Sequence, residues 1–120
     1  MWIYVIVVLT AFLFGCMLSK PTPLDDAVRT LARGAARWST AATQDQNALI
    51  AVLHANYGAG YLWAINDIVT SSDFERMTGH DYIKFRDSII NAQDVATKKA
   101  ISVCPQFGPP RNYLTKIGGE

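Results

Sequence analysis

Residues 47–69, NALIAVLHANYGAGYLWAINDIV, are the most informative part of this 120-residue sequence for its fold. They predict an unusually apolar helix, because few positions are polar and small residues recur at helical spacing. Glycine costs about 1 kcal/mol relative to alanine inside a helix, so two glycines within three residues need a structural reason. We expect that reason to be close helix packing, either within the chain or against another chain. The predicted packing residues are Ala51, Ala55, Gly58, Ala59, Gly60 and Trp63.

Two further expectations follow for this segment. Replacement of Gly60 by leucine is predicted to abolish folding or assembly, because a bulky side chain would block close packing. The segment is also a candidate second membrane helix, although His54, Asn56 and Asp67 make that alternative less favourable.

The preceding segment predicts a second amphipathic helix. Thr22 is its expected N-cap, with Pro23 at the first helical position and Asp25 at the third. One face is apolar, and a polar break follows at residues 39–46. A second face carries Arg29, Arg33 and Arg37, predicted to contact lipid headgroups or a partner. The alternative is a solvated face on which Asp25 pairs with Arg29.

The following segments predict two more helices and a tail. Ser72 and Glu75 form an apparent capping box that opens a short helix ending near Gly79. A longer helix is expected to start around Asp81 and to end before Pro105. Three prolines and three glycines exclude a long helix from residues 105–120. The residues predicted to dock this extended tail on a partner are Phe107, Tyr113, Leu114 and Ile117.

The N-terminal residues 1–18, MWIYVIVVLTAFLFGCML, are apolar except at Thr10 and Gly15. As a helix they would be about 27 Å long, close to the ~30 Å hydrocarbon core of a bilayer. They therefore predict a transmembrane anchor with its basic flank after the span, which places the following body on the cytoplasmic side. The predicted anchor residues are Trp2, Tyr4, Phe12, Phe14 and Lys20.

Three alternatives remain for this apolar segment. A cleaved signal peptide is less favoured, because the apolar run starts at position 2 without a basic region before it. Residues 13–16, LFGC, resemble a bacterial lipoprotein cleavage box in which Cys16 would be lipidated. A buried core helix is the least favoured of the three.

Composition and motifs exclude several classes of function. Eleven Lys and Arg residues against ten Asp and Glu residues argue against a nucleic-acid binder. Cys16 and Cys104 do not suggest a disulfide framework, and neither His54 nor His80 has a second ligand at metal-binding spacing. No nucleophile elbow or phosphate-binding loop is present. We therefore expect no enzyme activity, cofactor, metal or small-molecule substrate.

Together these patterns predict an all-α protein with three parts. Residues 1–19 are the expected transmembrane anchor, residues 20–104 a body of about three helices, and residues 105–120 the docking tail. A body of this size buries a limited core, so neighbouring molecules are expected to contribute to its stability.

Four stretches carry a family resemblance: residues 54–68, HANYGAGYLWAINDI; residues 94–99, DVATKK; residues 104–110, CPQFGPP; and residues 113–120, YLTKIGGE. The chain resembles small membrane-anchored virion proteins of nucleocytoplasmic large DNA viruses. That resemblance implies a minor capsid protein tethering the capsid shell to the internal viral membrane, with the membrane and capsid proteins as partners. The alternative is an accessory single-span subunit of a respiratory or photosynthetic membrane complex.

Overall fold

The structure, a computed structural model, describes residues 1–18 and 20–108, without the side chains of residues 16–18. The regular elements are α1 (Trp2–Leu18), α2 (Pro23–Gln44), α3 (Ala48–Ile68), α4 (Ser71–Thr78), α5 (Tyr82–Val103) and a 3₁₀ turn (Pro105–Phe107). Every regular element in these ranges is helical, so the all-α prediction is confirmed. The predicted tail contacts Tyr113, Leu114 and Ile117 lie outside the described residues.

Local capping chemistry explains where the body helices begin. Thr22 and Asp25 form the predicted capping box at α2: the Thr22 side chain accepts from the Asp25 amide, and the Asp25 carboxylate accepts from the Thr22 amide at 2.6 Å. The Asn47 side chain accepts from the first amides of α3. Asp81 caps α5 in the same way by accepting from the Lys84 amide.

The start of α4 differs from the prediction of a Ser72 cap. Its N-cap is Thr70, which accepts from the Asp73 amide, because Thr70 and Asp73 provide the capping spacing two residues earlier. Glu75 instead accepts from the Tyr82 amide at 3.1 Å and so ties α4 to the start of α5. The predicted stop at Gly79 is confirmed, since this residue adopts the left-handed conformation at φ 74°.

Helix α2 is longer than the sequence predicts, because it continues through most of the expected polar break to Gln44. Two residues inside that break explain the extension. Ser39 and Ala42 are buried, and they lie seven and ten residues beyond Ala32 on the same buried face. The buried face of α2 thus continues beyond Trp38 through small side chains.

Helix α3 packs against both α2 and α5 and forms the centre of the body. The loop at residues 45–47 reverses the chain between α2 and α3, and the Tyr82 hydroxyl donates to Asn66 Oδ1 at 2.6 Å where α5 starts beside the end of α3. The largest fully buried side chains form one cluster: Val28, Leu62, Ile65 and Phe74. A second cluster is built mainly from alanine: Ala42, Ala51, Ala55 and Ala96.

The small residues of α3 divide between two faces. Ala51, Ala55, Gly58 and Ala59 are buried within the body, so this part of the small face packs inside the chain. Gly60 and Trp63 take no part in this internal packing: both are exposed, Trp63 by 54% of its surface. The reason is angular, because residues 60 and 63 fall outside the strip of α3 that is buried in the body.

Candidate functional sites

The first candidate site is the apolar surface of α1. Its described large side chains are exposed by between 51% at Val5 and 81% at Trp2. Trp2, Tyr4, Phe12 and Phe14 are all part of this exposed surface. The Thr10 hydroxyl donates to the Ile6 carbonyl at 2.8 Å, so the helix satisfies its own hydroxyl as well as its backbone. Lys20, the predicted basic flank, is exposed just beyond the helix.

Two helices are candidates for a membrane segment by their composition. Helix α3 is both long enough and apolar enough to cross a bilayer. The apolar stretch of α1, residues 2–15, is shorter. Seven residues of α3, however, are buried in the body, and the residues on its opposite face are exposed. Burial inside a helical body accounts for the apolar character of α3, while no described contact covers α1.

The arginine row of α2 has a different role at each position. The Arg29 Nε donates to the Met77 carbonyl at 2.7 Å, so this side chain holds the end of α4. That contact differs from the expected outward contact with headgroups or a partner. Arg33 donates to the Thr30 hydroxyl at 3.2 Å, and Arg37 is exposed. The expected pairing of Asp25 with Arg29 is replaced by a capping box and an Arg76 contact at 3.9 Å.

A groove of about 770 Å³ lies between α2 and α5. Most of the surface that lines it is apolar, and many of the lining side chains are small. Residues from both helices line it, principally Ala32, Ala36, Thr40, Thr43, Phe85, Ser88, Ile89 and Ala92. At one end Arg29, Arg33 and Lys84 bring three cations, against the single carboxylate of Asp81. This groove therefore combines a mostly apolar lining with one basic end.

The face of α3 that points away from α2 and α5 is also apolar, and we call it the α3 face. It consists of Leu49, Leu53, Asn56, Gly60, Trp63 and Asp67, which follow one another at spacings of three and four. At its edge nearest α5 the Asn56 Oδ1 accepts from the Gln93 side chain at 2.8 Å. The large apolar side chains on and beside it are each between 42% and 54% exposed: Leu49, Ile50, Leu53, Tyr57, Trp63 and Ile68. The only carboxylate on α3 is Asp67, which forms no ion pair with any residue that the structure describes.

An aromatic cluster joins α2 to the first half of α3. The Trp38 and His54 rings lie 4.9 Å apart, and Tyr57 meets Trp38 edge-on at 5.3 Å. The His54 Nδ1 lies 2.7 Å from the Asp45 carboxylate at the end of α2. This contact fixes the imidazole against Trp38, so His54 is a structural residue of the α2–α3 junction.

Two carboxylates have pKa values displaced by local hydrogen bonds. The Thr22 backbone amide, and after it the Thr22 hydroxyl, lower the pKa of Asp25 by stabilising its charged form; Arg76 adds to the effect. The Thr70 hydroxyl lowers the pKa of Asp73 in the same way, and Arg76 contributes again. Both carboxylates cap helices, so these displacements reflect structural roles.

Within the described residues no group of three or more His, Cys, Asp or Glu side chains is placed to hold a metal ion. The Cys104 thiol donates to Gln106 Oε1 at 3.2 Å and has no basic side chain among its described hydrogen-bond partners. Cys16, the proposed lipidation site, has no described side chain.

Neither the groove nor the outward direction of Gly60 was identified from the sequence. The signal for the groove was present as a run of small residues at α2 positions 32, 36, 40 and 43. No protein-family model matches the chain, and comparisons with curated proteins and with solved structures find no match. The function is therefore argued from the residues themselves.

Proposed function

We propose that this protein is a membrane-anchored structural protein in which α1 is the anchor and the α2–α5 body docks onto other proteins. The observation that carries this proposal is the exposed apolar surface of α1. Helix α1 has seventeen residues and no charged side chain. Its transfer from water into hydrocarbon is favourable, because burying each exposed apolar group lowers the free energy.

The family resemblance noted from the sequence supports a particular setting for this anchor. In a large DNA virus the body would tie the capsid shell to the internal membrane, on the cytoplasmic side of that membrane. A basic residue after the span, Lys20, and the arginines of α2 support this orientation. Phe107, exposed on the 3₁₀ turn, remains part of the proposed capsid contact.

The anchor is tested by translating the full chain in the presence of microsomes and extracting them with alkaline carbonate. The wild type is expected to remain in the membrane pellet. Leu9→Arg is expected to release the chain, since arginine at the centre of a span costs roughly 2.5–3.5 kcal/mol. The matched control is Leu53→Arg on α3, which should remain in the pellet. Release by Leu53→Arg alone would make α3 the membrane segment and overturn the proposal.

The capsid setting is tested on the native source by density-gradient fractionation followed by peptide mass spectrometry. The chain should follow the virions and be released only when detergent removes the internal membrane. Co-migration with a respiratory or photosynthetic enzyme complex would replace this setting with the accessory-subunit alternative. Detection of the intact Met1 peptide would exclude both signal cleavage and acylation at Cys16.

A further inference from the structure

Gly60 is a helical glycine without a structural reason among the residues that the structure describes. A Cβ built at this position would have no described neighbour within 4 Å, whereas one built at Gly58 would collide with α2. Glycine in a helix interior costs about 1 kcal/mol relative to alanine. Glycine also permits a close approach of another backbone, and no described element of this chain makes that approach at Gly60.

The α2–α5 groove has the shape that such an approach requires. The side chains on the α2 side of the groove are short, alanine or threonine at positions 32, 36, 40 and 43, so another helix can come close to α2 over about 17 Å of its length. Small side chains on facing helices allow interaxial distances near the short end of the usual ~8–10 Å range. The groove therefore fits a helix with a glycine at the centre of its docking face.

Charge is complementary between the groove and the α3 face. The basic end of the groove carries Arg29, Arg33 and Lys84 against the single carboxylate of Asp81, and the α3 face carries Asp67 at its C-terminal end. The rest of α3 contains no other acidic or basic residue except His54. Apolar side chains of the face would thus lie over the apolar lining, with the carboxylate near the cations.

The exposed side chains on and beside the α3 face are large and apolar. Six of them are each about half exposed. Large apolar side chains of this kind are typical of the centre of an interface between proteins.

From these observations we infer that the α3 face of one copy docks into the α2–α5 groove of a second copy. The two surfaces are different and lie on separate sides of the body. The contact is therefore heterologous, and repeated docking builds a ring or an open chain of copies. Since both surfaces belong to the body, this inference does not depend on α1 being inserted in a membrane.

The test measures the mass of the full-length protein in mild detergent by light scattering after size-exclusion chromatography. The wild type should form assemblies larger than a dimer as its concentration rises. Ala36→Trp fills the groove, and Gly60→Leu raises the centre of the α3 face; each should be monomeric over the same concentrations. The matched controls are Ala27→Trp, on the opposite side of α2, and Asp94→Leu, on the exposed side of α5. Both should assemble like the wild type.

The decisive experiment mixes the two monomeric variants. Ala36→Trp retains an intact α3 face and Gly60→Leu an intact groove, so their mixture should form a 1:1 dimer that grows no further. Loss of assembly in Gly60→Leu but not in Ala36→Trp would mean that α3 pairs with itself, and would overturn the inference. A wild type that stays monomeric, or a monomer whose groove holds a lipid by native mass spectrometry, would overturn it as well.

Discussion

Ser39 and Gly58 lie in direct contact at the crossing of α2 and α3. A Cβ on Gly58 would collide with the Ser39 hydroxyl and would come within 3.1 Å of both the Ala35 carbonyl and the Ser39 amide nitrogen. Gly34 makes the reciprocal contact, since a Cβ there would lie 2.9 Å from the Tyr61 ring. Glycine on one helix thus faces a small or flat group on the other, and these two contacts set the distance between the helices.

Gly58→Ala is expected to lower the free energy of unfolding by about 1–3 kcal/mol, because the added methyl group forces α2 and α3 apart. Urea denaturation of the full chain in detergent, followed by circular dichroism at 222 nm, measures the change. The control is Gly60→Ala, two residues along the same helix, which has open space for its methyl group. That variant should be more stable than the wild type by about 1 kcal/mol.

Ser39→Gly provides a second check on the same contact. Combined with Gly58→Ala it removes the hydroxyl that the new methyl group meets, so part of the lost stability should return. If Gly58→Ala lowers the free energy of unfolding equally in the wild type and in the Ser39→Gly background, the Ser39 side chain does not contact the new methyl group.

Ser39→Ala is expected to stabilise the protein by about 1 kcal/mol. The Ser39 side chain is buried, with 6% of the residue exposed, and its hydroxyl has no hydrogen-bond partner among the described residues. Removing it ends the cost of a buried, unpaired polar group and introduces a better helix former. Ser102→Ala is the matched control: its hydroxyl is exposed and bonds the Lys99 carbonyl, so little change is expected. A destabilised Ser39→Ala would mean that the hydroxyl is hydrogen-bonded.

Much of the helical body could be predicted from local sequence. The caps at Thr22, Asn47 and Asp81 require only a side chain and an amide two or three residues later, so their geometry is local. The cap of α4 was misplaced because Thr70 and Ser72 each have a carboxylate three residues ahead. Only the tertiary contact of Glu75 with Tyr82 distinguishes the two.

The candidate docking surfaces were harder to predict, because they depend on which helices become neighbours. The sequence does not distinguish Gly58 from Gly60, since both lie in the same short glycine and alanine stretch. In the structure Gly58 contacts α2, whereas Gly60 faces outward. Similarly, the Arg29 side chain reaches a carbonyl 48 residues away, which no spacing along α2 indicates. Sequence periodicity identified the faces of each helix but not their partners.

Arg29→Met is expected to lower the free energy of unfolding by about 1 kcal/mol and to loosen α4 in particular. The Arg29 side chain donates to the carbonyl of Met77, near the C-terminal end of α4, where backbone carbonyls lack helical partners. Hydrogen exchange monitored by mass spectrometry should show faster exchange over residues 71–79. Arg37→Met, at an exposed position on the same helix, should leave both stability and exchange near wild-type values. Equal effects of the two substitutions would show that Arg29 acts only through its charge.

Stability is expected to fall in acid because the folded state lowers the pKa values of Asp25 and Asp73. A carboxyl group whose pKa is lower in the folded than in the unfolded state binds protons more readily when unfolded. Its contribution to stability is therefore complete above the unfolded pKa and is lost as the pH falls through the folded pKa. The free energy of unfolding should change little from neutral pH to about pH 5 and decrease below about pH 4.

Asp25→Asn tests the origin of this acid sensitivity. The amide keeps the shape of the side chain but cannot titrate, so the variant should be less stable than the wild type at neutral pH and should lose less stability in acid. Asp26→Asn is the control, because the exposed Asp26 side chain makes no hydrogen bond within the described part of the chain. Its profile should parallel that of the wild type. Urea denaturation at closely spaced pH values measures all three proteins, and an unchanged acid slope in Asp25→Asn would show that this carboxylate is not the titrating group.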